Sequence, residues 1–315
     1  MATAVSTRPA TRTFRHEAVF YRGLEDLVGV LTPFVRAGLD AGEAVMVAEL
    51  PDRAAALQRA LGTDAAEVEF LDMERVGRNP ARIIPAWRDF VAGHPGQSVR
   101  GVGEPAWPGR RPIELEECRL HESLLNMAFD DVDTTFRLLC PYDADNLPEY
   151  VLAAAELTHP KVDESRTQGR YAGHAHAVDE FERTLLEPST TQTLRVSFGP
   201  HDLSGLRSVV RRVSQLAGLR SDVVDDLVLA THELATNSVS HGGGTGVLRS
   251  WRDPHALVLE VSDAGLISDP LVGREQAPMI DEGGRGVWIA NQLCDLVQVR
   301  SSAGGTVVRL YTWLQ

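Results

Sequence analysis

The chain has little cysteine. Cys118, Cys140 and Cys294 lie far apart and form no C-x-x-C pair, which speaks against a disulfide framework and for free thiols in a reducing cytoplasm. Lysine is scarcer still: Lys161 stands alone among 31 basic residues. With abundant alanine this reads as codon bias, and no function is taken from it. There is no excess of basic charge. The net charge of −13 argues against direct binding of nucleic acid, which needs a basic face, and against attraction to an anionic membrane. No apolar run approaches the roughly 18 residues of a membrane span, and "MATAVSTRPATRTFRH" has no apolar signal-peptide core. The expected location is cytoplasmic. No G-x-x-x-x-G-K-[ST] occurs, which removes a P-loop nucleotide site from consideration.

What is present divides into two halves. The 315 residues suffice for two domains, each with its own core. From 14 to 160, short apolar runs alternate with helical stretches. "AVFY", "AVMVAE", "VEFLDM", "SVRGVGEP" and "FRLLCPYD" read as strands; helices follow from Gly23, Asp52, Pro80, Ile113 and Pro148. Such alternation predicts an α/β domain with a parallel sheet. Residues 161–192 are polar and small and read as a linker with a short helix over 178–186. From 193 to 315, helices at 203–218 and 221–241 precede three strands, with a helix through "GVWIANQLCDLV" before the last. This pattern predicts an α+β sandwich. Ser221 is the expected N-cap of the longer helix, and Gly242 and Gly243 its stop.

"HELATNSVSH" (232–241) carries the first chemical signal. Glu233, Asn237 and His241 recur every fourth residue, and a step of four turns a helix only about 40° beyond a full circle, so all three share one face. An amide and a carboxylate on a mostly apolar helix are costly to bury without partners. A divalent ion bridging phosphates would supply them, with the Asn237 oxygen a suitable hard ligand for Mg²⁺ and Glu233 placed to take a proton. A solvated polar stripe is the plainer reading of this segment alone. Three later segments shift the balance. "LEVSDAG" ends a strand in Asp263-x-Gly265; the Asp can accept from the exocyclic amine of adenine. "DEGGRGVWIANQL" places Gly284, Arg285 and Gly286 at a helix start, where free N–H groups favour phosphate. "SSAGGTVVRL" places Gly304, Gly305 and Thr306 at a strand start.

In this order and spacing the segments resemble the GHKL ATPase family. Glu233, Asn237 and His241 match its N box; Asp263 with Gly265, Gly284 with Gly286, and Gly304 with Thr306 match its glycine boxes. The resemblance implies a layered α/β sandwich of the Bergerat type that binds ATP and Mg²⁺. It implies Asn237 on the metal, Glu233 as catalytic base and Asp263 on adenine. The later glycines would shape the phosphate lid, and Arg285 would stand in for the arginine usual near the γ-phosphate. Leu266 and Ile267 depart from the pattern, occupying positions where many relatives carry a further glycine. Within the family, "HELATNSVSHGG" and "GGRGVWIANQLCD" are most similar to anti-sigma-factor serine kinases of the RsbW type. Residues 15–160 resemble the MEDS sensory domain through "HEAVFYRGLEDLVGVLTPFVRAGLDAGEAVMVAELP" and "CPYD". MEDS followed by such an ATPase resembles anti-sigma regulators of the RsbA type. The partners this implies are an anti-anti-sigma factor, a sigma factor or both, with a small-molecule ligand for the first domain and a homodimer also within its scope. Three rivals remain: a binding module that grips a sigma factor without turnover, a sensor histidine kinase, and a degenerate fold that has lost ATP.

Other features are read more plainly. His16, Tyr21 and His121 are expected to be ordinary packing at strand and helix edges, and Cys140 a small core residue. His174 and His176 have a metal-like spacing but no acidic or Cys neighbour. "GRRP" and "RRVS" read as solvated faces.

Overall fold

The computed structural model describes residues 13–162, 170–188, 193–275 and 285–314. The first half runs β1 (Phe14–Tyr21), α1 (Gly23–Asp40), β2 (Ala44–Glu49), α2 (Pro51–Leu61), β3 (Val68–Asp72), the single turn α3 (Met73–Val76), α4 (Ile83–Gly93), β4 (Val99–Gly103), α5 (Pro112–Ala128), β5 (Phe136–Asp143), α6 (Glu149–Thr158) and β6 (Lys161–Val162). Its six strands form a parallel sheet in the order β3-β2-β4-β5-β1-β6. Side chains along a strand alternate between faces, and the burial follows that rule. Val45 and Val47 of β2 and Leu139 of β5 pack with Leu27, Leu31, Leu57 and Leu61 from α1 and α2. Met46, Ala48, Leu138 and Cys140 point the other way, into the core with Ile84, Trp87, Leu124 and Leu152 from α4, α5 and α6. Each fully buried leucine is worth about 1.5–3 kcal/mol relative to exposure.

The segment from Lys161 contributes to this half. β6 pairs with β1 as an edge strand, and α7 (Gly173–Glu182) packs against α5. The helix expected over 178–186 therefore starts five residues earlier, where Gly173 turns the chain at φ 72°. Arg119 of α5 fastens it through Glu180 at 2.5 Å.

The second half runs β7 (Leu194–Phe198), α8 (Leu203–Leu216), α9 (Ser221–His241), β8 (Gly246–Arg252), β9 (Ala256–Asp263), α10 (Arg285–Leu293), β10 (Leu296–Ser302) and β11 (Gly305–Trp313). Its strands form an antiparallel sheet in the order β10-β11-β9-β8-β7. Leu206, Val210, Leu227, Leu234 and Val287 from the helices pack on Leu248, Leu259, Val261, Val308 and Leu310 of the sheet. Together the halves give the mixed α/β class expected, one sheet parallel and the other antiparallel.

Two details differ from expectation. β10 is a strand where the sequence suggested that the preceding helix continues. The helix stops at Leu293, with Cys294 N–H still bonded to Ala290 O at 3.0 Å, and no Gly or Pro marks the turn. Ser221 is the first helical residue of α9 rather than its cap; Arg220 precedes it without a capping side-chain bond and pairs with Asp222 instead.

The halves meet through buried polar groups. Glu117 of α5 pairs with Arg300 of β10, accepts from Gln298 at 3.1 Å and lies 3.7 Å from Arg274. Asn79 donates to the backbone and side-chain oxygens of Asn291 at 3.1 and 3.0 Å. Arg82 donates to the carbonyls of Asn291 and Gln292 at 2.7 and 2.6 Å.

Candidate nucleotide site

α9 presents the polar face anticipated from its spacing. Glu233 and Asn237 are half-buried and His241 is exposed at the helix end. Asn237 and His241 line one pocket together with Asp263, Gly265 and Thr306, between α9 and the ends of β9 and β11. Asp263 is locked in place: Ser238 donates to Oδ2 at 2.6 Å and the Gly265 N–H to Oδ1 at 2.8 Å. Thr306 Oγ1 donates to Gly265 O at 2.8 Å and lies 2.7 Å from Ser301 Oγ, and that hydroxyl in turn receives the Ile267 N–H at 2.8 Å. A carboxylate held by two donors keeps one geometry, which suits it to reading a fixed amine.

Close packing explains two glycines. A Cβ on Gly286 would stand 2.6 Å from Asn237 Nδ2 and 3.2 Å from Glu233 Cβ. The start of α10 thus rests on the α9 face because residue 286 has no side chain. Gly305 has φ 115°, and a Cβ there would meet Asp263 O at 2.3 Å. Glycine at 305 therefore lets the start of β11 pass over the end of β9.

The structure gathers most, not all, of the anticipated residues. Glu233 sits one turn from Asn237, against Gly286, and outside the pocket lining. Arg285 is exposed at the start of α10 and is not among the pocket residues. Gly304 lines an open trough on the other face of the sheet, which Asp263 and Thr306 also border, and its N–H donates to Ser302 Oγ at 3.2 Å; Gly305 is the close-packed glycine of that pair. Gly284, with Asp281 and Glu282, lies outside the described residues. Ser238 and Gly242 were not anticipated as site residues. A Cβ on Gly242 would lie 2.3 Å from Asp263 Cγ, so the glycine that ends α9 also admits the carboxylate. The signal for Ser238 was its place one residue after Asn237, on the side of the helix facing the sheet.

Residues flanking the 276–284 stretch are tied to the first half. Asn291 Nδ2 donates to Gly273 O at 2.8 Å while Asn291 itself receives Asn79. Arg274 is buried beside Glu117, and Arg88 pairs with Glu275. Burial, only partly offset by Glu117, pushes the Arg274 guanidinium down to about 10.

A second polar cluster closes the C-terminal ends of the parallel strands. β2 leads on to β3 on one side and β4 to β5 on the other, so the strand order reverses between β2 and β4, the place where parallel sheets commonly bind ligands. Glu49 ends β2 and Glu104 follows β4, both fully buried. Tyr21 donates to Glu104 at 2.9 Å, and Arg53 pairs with Glu104 and lies 3.7 Å from Asp143. Burial, with Glu104 beside it, pushes the Glu49 carboxyl well above the ordinary range.

The two halves match separate family descriptions. Residues 15–160 match the methanogen/methylotroph DcmR sensory domain, MEDS, and residues 196–312 match the histidine kinase-like ATPase domain. The chain joins a MEDS domain to a kinase-like ATPase domain. The ATPase domain is a nucleotide-binding type, and its pairing with a sensory domain is a regulatory architecture. No curated protein matches the chain. Among solved structures, the RsbU and RsbW domains of a Mycobacterium tuberculosis protein are 20% identical over 39% of this chain and 32% of theirs, with a TM-score of 0.30. A DnaB-like replicative helicase is 10% identical over 58% of this chain and 51% of its own, with a TM-score of 0.32. The chain thus spans about a third and about half of those two proteins. Among the described residues no helix is long and apolar enough to cross a membrane.

Proposed function

We propose that the protein is a regulator of sigma-factor activity whose ATPase domain binds Mg·ATP and phosphorylates a serine on an anti-anti-sigma partner, under control of the MEDS domain. One observation carries the nucleotide reading: Asn237, Asp263, Gly265 and Thr306 converge on a single pocket. The Asp263 carboxylate, held by Ser238 and Gly265, accepts from the adenine amine. The Asn237 amide oxygen is the hard ligand the cation requires, and Gly286 lets the α10 backbone approach it. Glu233 receives the proton of the acceptor hydroxyl. Mg·ATP when bound supplies the transferable phosphoryl group and the cation that offsets its charge. Control by MEDS is supported by the contacts of Glu117 with Arg274, of Arg88 with Glu275, and of Asn79 and Arg82 with Asn291, on both flanks of the second glycine box.

The test is calorimetric titration of Mg·ATP into the full chain and into Asn237→Ala, followed by γ-labelled ATP with a candidate acceptor. The expected result is binding that the variant loses and an acid-stable label on the acceptor's serine. Equal binding by both chains removes the role given to Asn237. An acid-labile label on the chain itself identifies a histidine kinase. Nucleotide-dependent partner binding that survives Glu233→Gln, with no labelled product from either chain, identifies a module without turnover.

A further inference from the structure

The core of the MEDS half holds four side chains whose chemistry does not suit a dry interior. His16 comes from β1, Cys140 from β5, Glu122 from α5, and His159 follows the last turn of α6. All four are buried, and one ligand atom from each lies within 4.8 Å of the others. His16 Nε2 is 3.0 Å from Glu122 Oε2 and 3.3 Å from Cys140 Sγ, and His159 Nε2 is 3.4 Å from the same Glu122 oxygen. The edge of a tetrahedron of N and O ligands around zinc is about 3.4 Å.

The outer hydrogen bonds orient both imidazoles. His159 Nδ1 lies 2.9 Å from Ala155 O, a carbonyl that can only accept, so Nδ1 carries the proton. His16 Nδ1 lies 3.3 Å from Asn126 Oδ1, and Asn126 is held that way round because its Nδ2 donates to Thr158 O at 2.8 Å. Each ring therefore turns its Nε2 inward. Unprotonated, both Nε2 atoms face the same buried Glu122 oxygen, with Cys140 Sγ beside them. Acceptors facing acceptors without water are costly. A cation at their centre removes the conflict. Neutral rings turned to donate Nε2–H to Glu122 would leave Ala155 O and Asn126 Oδ1 facing lone pairs.

We propose that His16, Glu122, Cys140 and His159 form a closed four-ligand site for a zinc-type divalent cation in the MEDS half. Two imidazoles, a thiolate and a carboxylate suit Zn²⁺ among the common metals. Asn126 and Ala155 O are the outer partners that such histidines usually have. On binding, the Cys140 thiol gives up its proton to solvent. Glu122 also lines a narrow pocket with Tyr142, Tyr150 and Val151. The proposal does not depend on the nucleotide reading.

Zn²⁺ and then Co²⁺ titrated into metal-stripped full chain provide the test, with metal content measured on the protein as purified. The expected result is one ion per chain, tetrahedral cobalt bands in the visible, and a thiolate-to-cobalt charge-transfer band that Cys140→Ser abolishes while Cys118→Ser retains it. Asn126→Leu should weaken affinity by about 10–100-fold. No stoichiometric uptake by the folded wild-type chain overturns the proposal without recourse to a variant. A charge-transfer band that survives Cys140→Ser overturns it too, by locating the ion elsewhere.

Discussion

The strand ends of the two sheets deal with polar groups in opposite ways. At the C-terminal ends of the parallel strands, Glu49, Glu104, Asp143, Tyr21 and Arg53 are matched against one another. At the ends of β9 and β11, Asp263 and Thr306 are fixed from behind by Ser238, Gly265 and Ser301, and with Asn237 they face a pocket. Most carboxylates in the first region are paired with neighbours, whereas Asp263 in the second borders a pocket. A location where parallel sheets usually bind ligands is here occupied by ion pairs.

The largest effect should come from the seam that joins the regions. Glu117→Gln leaves Arg274 and Arg300 buried without a carboxylate, and loss of one partner of a buried ion pair costs about 3–5 kcal/mol. Calorimetry should show the halves melting in two steps, and a single unshifted transition would mean that the seam contributes little. Next is Gly286→Ala, whose Cβ would fall 2.6 Å from Asn237 Nδ2. Overpacking of this kind costs about 1–3 kcal/mol, and it should appear chiefly as weaker Mg·ATP binding in titration. Unchanged affinity would show that α10 does not rest on the site.

Glu49→Gln probes the closed cluster through pH. The folded Glu49 carboxyl keeps its proton above its ordinary value of 4.5, whereas the unfolded chain loses it there. The unfolded state thus binds fewer protons over that window, and this group's contribution to stability falls as pH rises from 4.5 towards the raised value. Denaturant melts at several pH values should show the slope in wild type, and the variant should lack it and be more stable at neutral pH. The smallest effect is Ser238→Ala, which removes one donor from Asp263 at about 1 kcal/mol. It should lower nucleotide affinity several-fold with little change in melting temperature; a loss confined to melting would make Ser238 purely structural.

Much of this was legible in the sequence because it rests on local spacing. Asn237 and His241 meet Asp263, Gly265 and Thr306 as the helix period and strand ends implied. Gly305, rather than Gly304, makes the close approach, since which glycine of a pair turns with positive φ depends on the β9 backbone beside it. β10 was hidden because no breaker residue marks Cys294–Asp295, and the alternation of Val297 and Val299 merged with the helix before it. α5 reads as amphipathic, but Glu114, Glu117, His121, Glu122 and Asn126 are buried along with its apolar residues, because a second sheet covers the side that solvent would have taken. The His16, Glu122, Cys140 and His159 cluster left no sequence signal at all: its members are separated by up to 143 positions and are brought together by the pairing of β1 with β5 and by α5 and α6 lying over them. Cys140 is a small core residue as expected, but its thiol faces His16.

α5 also carries Glu117 and Glu122 on one unbroken helix, five residues and about 7.5 Å of axial rise apart. The first carboxylate grips the neighbouring sheet and the second stands among the inward-turned histidines. One stretch of helical backbone thus carries both carboxylates, and a displacement of either is expected to reach the other through it.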